Sequence, residues 1–299
     1  MILPISVILS TYNRMRSEGE CPSLLKRAVE SILHQTFKEF ELILIDDCSS
    51  DQTLEYCREV AAIDSRVKFF HFKENSGVPA KRYNFGMAVS VGKYICFMFD
   101  DDEWRPGCLE TLYQEIEKRP KSYGMVYGLA ALYTGDDQKK SSILGGKWGW
   151  GKIDAYNFIS NNAVIVKRSA IDLVGGYDED PILLRLCDWD LWWRIGRKFK
   201  VGRVKALVAN VYSHLPDSIG MTKTFDWDAC RKRQKGLREI PLKKELKEPL
   251  LCKLRTHLFT VWVFLFPRGF LKKMAKKILP MPLYLFLKQT RDFFRNARS

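Results

Sequence analysis

Tyr94-Ile95-Cys96-Phe97-Met98-Phe99-Asp100-Asp101-Asp102 is an apolar, strand-like run that ends on three consecutive aspartates. A continuous apolar run of this length suits a strand buried on both faces. Neighbouring unit charges about 4 Å apart repel by about 1 kcal/mol in water and about 4 kcal/mol at a protein surface. A fold that keeps such a triplet beside a hydrophobic sheet calls for a compensating cation, and hard oxygen donors select Mg²⁺ or Mn²⁺. Ions of that kind keep open positions for phosphate oxygens, so the step from strand to aspartates suggests a metal–diphosphate site. The competing reading is a solvated helix-entry turn, since aspartate favours helix starts and Pro106 follows.

Outward from this run the chain keeps a βα rhythm. Strands are expected at Ile5–Leu9, Glu41–Ile45 and Val67–Phe72, with helices at Leu24–Phe37, near Thr53–Ala62 and near Ala80–Val91. Downstream, Pro106–Lys118 reads as a helix and Gly124–Tyr133 as a strand, and 145–151 is a Gly/Trp-rich loop. Asn162–Lys167 then reads as a strand, Ser169–Val174 and Asp188–Lys198 as helices, and Val201–Tyr212 as a strand. Apolar strands alternating with helices predict an α/β fold, a mostly parallel sheet with helices on both faces. Three polar clusters follow three strands: Ser10-Thr11-Tyr12-Asn13, Asp46-Asp47-Cys48-Ser49-Ser50-Asp51 and the triplet. In open α/β sheets ligands bind beyond the carboxyl ends of the strands, so all three converge on one edge. Helix capping accounts for Ser49, Ser50 and Asp51 singly, but less well for the joint pattern.

The net charge of +14 over 299 residues is unevenly placed. Residues 231–299 hold 19 Lys and Arg against 4 Asp and Glu, whereas residues 1–230 hold 30 against 31. The sequence therefore predicts a near-neutral domain over 1–230 and a basic extension over 231–299. Eight cysteines without a CxxC pair read as reduced core thiols of a cytosolic protein, and four scattered histidines give no zinc pattern. The N-terminal Met1–Leu9 reads as a strand, with no basic leader region.

Val7-Ile8-Leu9-Ser10-Thr11-Tyr12-Asn13-Arg14, Ser31-Ile32-Leu33-His34-Gln35-Thr36, Glu41 to Asp51 and Gly92-Lys93-Tyr94-Ile95 resemble family 2 glycosyltransferases across residues 4–215. That resemblance implies the GT-A fold, a Rossmann-like sheet, and inversion at the anomeric carbon. It implies that Thr11 and Tyr12 line the nucleotide base, that Asp47 accepts a hydrogen bond from the base edge, and that Asp46 assists. Lys81 and Arg82 would lie near the base and diphosphate. The family's Asp-x-Asp metal motif maps onto Phe99-Asp100-Asp101, a departure, because Phe99 stands where the first acid is common. Asp101 would ligate Mn²⁺ or Mg²⁺, Asp100 would meet the ribose or metal waters, Asp102 is an alternative ligand, and His214 would reach the metal–diphosphate.

Cys187-Asp188-Trp189-Asp190-Leu191 resembles the family's Glu-Asp-x-Asp-Leu segment, with Cys187 in place of the glutamate. The resemblance makes Asp188 the catalytic base, and the competing reading is a helix N-cap. Trp148, Trp150, Trp189 and Trp192 are candidates for stacking on sugar faces, with Asn162 and Asp190 on the acceptor side, although tryptophan is equally a core residue. The implied reaction moves a sugar from a nucleotide-diphosphate donor, UDP-linked by preference, to a hydroxyl of a lipid-linked or cell-surface glycan.

In the tail, Arg268–Leu279 carries lysines opposite Phe270, Leu271, Met274, Ala275, Ile278 and Leu279, the pattern of a basic amphipathic helix. The neighbouring apolar runs fall short of the ~20 residues a bilayer span needs. Residues 250–299 are therefore expected on an anionic membrane surface, placing the protein in the cytoplasm on the inner face of the membrane. Packing on the domain or a homo-oligomer interface is the rival, and nothing resembles a nucleic-acid module. Two other function classes compete: an inert membrane scaffold keeping the fold, and a sugar nucleotidyltransferase. The latter needs a glycine-rich loop where Ser10–Asn13 stands.

Overall fold

Strand β1 (Ile5–Thr11) is buried along its whole length, and so is β2 (Phe40–Asp46), which pairs with it in parallel. The computed structural model describes residues 3–15, 24–134, 139–184, 186–213, 230 and 232–233. Between these two strands runs α1 (Leu24–Leu33), and after them come α2 (Thr53–Ile63), β3 (Val67–His71), α3 (Pro79–Val89) and β4 (Tyr94–Phe99). The order β3-β2-β1-β4 is parallel throughout, as the alternating pattern predicted. Alternate residues of each strand face opposite helix layers. Ile8, Ile43, Ile45 and Phe97 pack on α3 through Ala80, Tyr83 and Met87. Val7, Leu9, Leu42, Leu44 and Met98 pack on α1 through Leu25, Ala28, Val29 and Ile32. That two-sided cover is the physical reason for the uninterrupted apolar runs.

The second half is mixed. It contains β5 (Glu103–Trp104), α4 (Cys108–Glu117), β6 (Tyr123–Thr134), β7 (Lys139–Leu144), α5 (Trp150–Ile153), β8 (Val164–Lys167), α6 (Arg168–Val174), α7 (Cys187–Lys198) and β9 (Lys200–Tyr212). β8 pairs antiparallel with both β4 and β6, β9 runs parallel to β6, and the short β5 pairs antiparallel with β9. Among the described residues the sheet is thus nine-stranded and mixed, mostly parallel as predicted but with antiparallel pairing in this half. Helix α1 stops at Leu33 instead of running to Phe37, and the Gln35 side chain straps the turn that follows. Its Nε2 donates to the carbonyls of Ser31 and Arg105, both at 2.9 Å, and its Oε1 accepts from Leu109 N at 3.1 Å.

All the described residues belong to one compact unit, Met1–Arg238. The expected tail helix, the membrane contact of 250–299 and His214 lie outside the described residues. Among the described residues no helix is long and apolar enough to cross a membrane.

The bottom edge of the sheet is tightly closed. Gly92 N donates to Ser6 Oγ at 2.7 Å, and a Cβ on Gly92 would stand 2.4 Å from Ser6 N and 2.6 Å from Ile5 C. The obstructing atoms are backbone, so strand β1 itself would have to move. Gly92→Ala is expected to lower stability by about 2–3 kcal/mol, read as a shifted urea midpoint at unchanged m-value.

Candidate active site

The register sets the carboxyl ends of β1, β2 and β4 level. Thr11 stands opposite Asp46 and Ser10 opposite Phe99, so the three polar clusters leave the sheet side by side. The loops after β1 and β2 then lock together. Asn13 Oδ1 accepts from Ser50 N at 2.8 Å, Asn13 N donates to Ser49 Oγ at 2.9 Å, and Arg14 N donates to Thr53 Oγ1 at 2.8 Å. Residues that capping alone would explain are therefore cross-links between two loops. Asn13 and Cys48 hold φ of 50° and 67°, the left-handed turns that let these loops fold back.

Asp46 and Asp47 are both fully buried. Asp46 is occupied by Ser49 and by His71 Nδ1 at 2.7 Å, so it braces the turn. Asp47 accepts from Ser76 N at 2.9 Å, from Ser76 Oγ at 3.0 Å and from Arg82 Nη1. Arg82, almost equally buried, also donates to Ser10 Oγ at 3.2 Å and so ties α3 to β1. The buried Thr11 hydroxyl has no hydrogen-bond partner among the described residues. Tyr12 is 43% exposed beside it, and Lys81 is exposed.

The three aspartates separate into different tasks. Asp102 is buried, with Oδ1 accepting from Tyr212 N at 2.8 Å and Oδ2 from the Asn162 amide. Asn162 Oδ1 in turn accepts from Phe99 N at 3.0 Å, and its carbonyl takes Trp104 Nε1 at 2.6 Å. Asp102 and Asn162 thus help hold β4, β8 and β9 together. Asp100 accepts from Arg14 Nε at 3.1 Å, and Asp101 Oδ2 lies 3.6 Å from Arg14 Nη2. Arg27 Nη2 donates to the Asp101 carbonyl at 2.6 Å. Burial, and then the Asp100 charge, push the Asp101 carboxyl well above the ordinary range; burial and Asp101 do the same to Asp102.

The donors near Asp101 are hard oxygens, which suit a divalent ion in kind, with Arg14 and Arg27 as the cations already beside them. Among the described residues, however, no group of three His, Cys, Asp or Glu side chains is placed to hold one. Phosphate oxygens and water would have to complete the shell.

Asp188 sits in the first turn of α7. Its Oδ1 accepts from Trp189 N at 2.8 Å and its Oδ2 from Asn157 Nδ2 at 2.9 Å. It does not occupy the N-cap position, which belongs to Leu186. Burial pushes its carboxyl up to about 6, against the opposing pull of the two hydrogen bonds. Tyr177, from the loop after α6, donates to Asn161 Oδ1 at 2.7 Å, and the neighbouring Asn162 holds Asp102.

The tryptophans divide likewise. Trp189 is fully buried with Nε1 on the Ile153 carbonyl at 2.5 Å, and Trp192 is fully buried too, so neither can stack on a sugar. Asp190 Oδ2 accepts from Arg194 Nε at 2.7 Å, and Arg194 reaches the carbonyls of Val174 and Gly176, which fastens α7 to the end of α6; Asp190 Oδ1 is buried with no partner among the described residues. Trp148 lies over Gly196, and Trp150 is 45% exposed. Arg14, Ser76 and Asn157 were given no role from the sequence. Arg14 had a signal, as the one cation next to the first polar cluster. Asn157 had none.

Comparison with known proteins agrees with this layout. The glycosyl transferase family 2 profile matches residues 6–163, just over half of the chain. Glycosyltransferase GlyG of Streptococcus pneumoniae is 37% identical over 115 residues, 38% of this chain and 36% of that protein. The GalNAc(5)-diNAcBac-PP-undecaprenol beta-1,3-glucosyltransferase of Campylobacter jejuni is 36% identical over 124 residues, 42% of this chain and 37% of its own length. The chain thus spans little more than a third of these curated relatives. A crystal structure of S. aureus TarS 1–349 in complex with UDP-GlcNAc has the same fold, with a TM-score of 0.63 at 16% identity over 92% of this chain and 76% of that one. Strand tips, motifs and profile agree, and the chain belongs to glycosyl transferase family 2.

Proposed function

We propose that the protein transfers a sugar, with inversion, from a UDP-sugar to a hydroxyl of a lipid-linked or cell-surface glycan. One observation carries this reading. Acidic groups leave β2 and β4 side by side at one sheet edge, and the same compact unit holds Asp188, a buried carboxylate on α7 whose pKa is raised by burial. The donor class is supported by the UDP-GlcNAc bound in TarS, and the acceptor class by the undecaprenol-linked glycan in the name of the Campylobacter relative.

In this reading the exposed Tyr12 ring covers one face of the base, and the buried Thr11 hydroxyl, lacking a partner, is left for the nucleotide. Asp47, held rigid by Ser76 and Arg82, offers its remaining lone pairs to the base edge. Asp101, with Asp100 behind it, would hold Mn²⁺ or Mg²⁺, which supplies charge stabilisation for the departing diphosphate. Asp188 takes the proton from the acceptor hydroxyl as that oxygen attacks the anomeric carbon from the face opposite the diphosphate. Its raised pKa suits the task, because the carboxylate is still ionised at pH 7 yet more basic than an exposed aspartate. Trp148 and Trp150 line the acceptor side. The basic amphipathic pattern of 268–279 supports attachment to an anionic membrane surface from the cytoplasmic side.

The test is UDP release from UDP-N-acetylglucosamine, UDP-glucose and UDP-galactose, with Mn²⁺ and with EDTA. Release from one donor should fall by at least about tenfold with EDTA and in Asp101→Asn. Release indifferent to both would overturn the metal-dependent reading.

A further inference from the structure

Asn157 has no part in the scheme above, yet its side chain is oriented without ambiguity. Its Oδ1 accepts from Ile159 N at 3.1 Å, so its amide nitrogen must be the atom 2.9 Å from Asp188 Oδ2. The usual exchange of amide oxygen and nitrogen is closed off, because a flipped amide would set oxygen against carboxylate and nitrogen against N–H. Asp188 Oδ1 is held separately by Trp189 N at 2.8 Å. Each carboxylate oxygen therefore has one fixed donor and keeps further lone-pair capacity.

We propose that Asn157 is the positioning residue of Asp188: its amide fixes the direction of the carboxylate and favours its ionised form, leaving a lone pair for an incoming hydroxyl. The inference rests on Asp188 being the base. The remaining groups around the carboxylate offer no substitute. Cys187 on the same helix and Tyr177 from the loop after α6 are both pushed up by burial and stay neutral. Asp190 is a carboxylate that cannot donate to Asp188 and has Arg194 on its Oδ2, and Asp154 at the end of α5 accepts from Trp193 Nε1 at 2.9 Å. Among the described residues no cation pairs with Asp188, so Asn157 is its one side-chain partner, set against a desolvation that drives the carboxyl up to about 6. A hydrogen bond to the ionised form lowers a carboxyl pKa, and its loss raises it.

The experiment is a carbon-13 carboxyl NMR titration of the full chain labelled at aspartate, with the Asp188 resonance assigned by its absence from Asp188→Asn. In the wild type the midpoint should lie near 6. In Asn157→Ala it should rise by about one unit, and in Asn157→Ser, which keeps a hydroxyl donor, by less. The serine variant is titrated in parallel, so that a folding defect in the alanine variant leaves a readable result. A midpoint unmoved or lowered in the folded variants would overturn the inference. UDP release by Asp188→Asn reports separately on the base itself. Activity surviving there sinks the catalytic reading, whereas the titration reports on Asn157 alone.

Discussion

Asp188→Asn is expected to lower sugar transfer by about 10²–10⁴-fold while making the protein more stable at pH 8. The loss follows from removing the proton acceptor with little change of shape. The gain follows from linkage. The folded carboxyl titrates at about 6 against an ordinary 3.8, so the native state binds the proton more tightly than the unfolded chain does. Below pH 3.8 both states are protonated and nothing is lost. As pH rises through the window from 3.8 to about 6, stability falls, and above it the full cost of an ionised buried carboxylate remains. The asparagine variant should therefore be more stable by about 1–3 kcal/mol at pH 8, a difference that narrows steeply towards pH 4 and vanishes below about pH 3. Thermal melts at the two pH values, beside a UDP-release assay, check both halves. A variant that is inactive but no more stable would mean that Asp188 is not strained by burial.

The second large effect concerns Asp47 and Arg82. Both are buried, and Arg82 has Asp47 as its ion-pair partner and Ser10 as a neutral one. Asp47→Ala leaves a guanidinium in the interior with its charge unanswered, at a cost of about 3–5 kcal/mol. Removing the charge as well, in Asp47→Ala with Arg82→Leu, should restore part of that stability, because a buried pair replaced by apolar groups is often neutral. UDP binding should not return with it. A titration with UDP in Mn²⁺ should show about 10–100-fold weaker affinity in both variants, since the acceptor proposed for the base edge is lost in each. Equal UDP affinity in wild type and double variant would remove Asp47 from the nucleotide site.

β1, β2 and β4 were legible because each is covered on both sides, and for β4 composition and boundary coincide: Tyr94–Phe99 is found where the apolar run begins and ends. β7 was missed because Lys139-Lys140-Ser141-Ser142 has no core to face; among the described residues it pairs with β6 alone, and its described side chains are largely exposed. Two-residue β5 has too few positions to show a period. At the site, local motifs marked the strand tips but not the division of labour among them. Asp100, Asp101 and Asp102 are identical in sequence terms and become distinct only when Asn162 and Tyr212, from 60 and 110 residues away, claim the last of them. Which tryptophans are core was hidden for the same reason, since the carbonyl that satisfies the Trp189 indole belongs to Ile153. Asn157 stands 31 residues from its partner in a segment without periodicity.

The helix bearing Asp188 and the stretch running from Trp148 to Asn157 are stitched at four points: Asn157 to Asp188, Trp189 to the Ile153 carbonyl, Trp193 to Asp154, and Trp148 seated over Gly196, where a Cβ would come within 2.5 Å of the indole. Chimeras built between relatives to exchange acceptor preference should therefore carry the two pieces as one cassette. Grafting the loop by itself would strand an indole over a side chain it has never met.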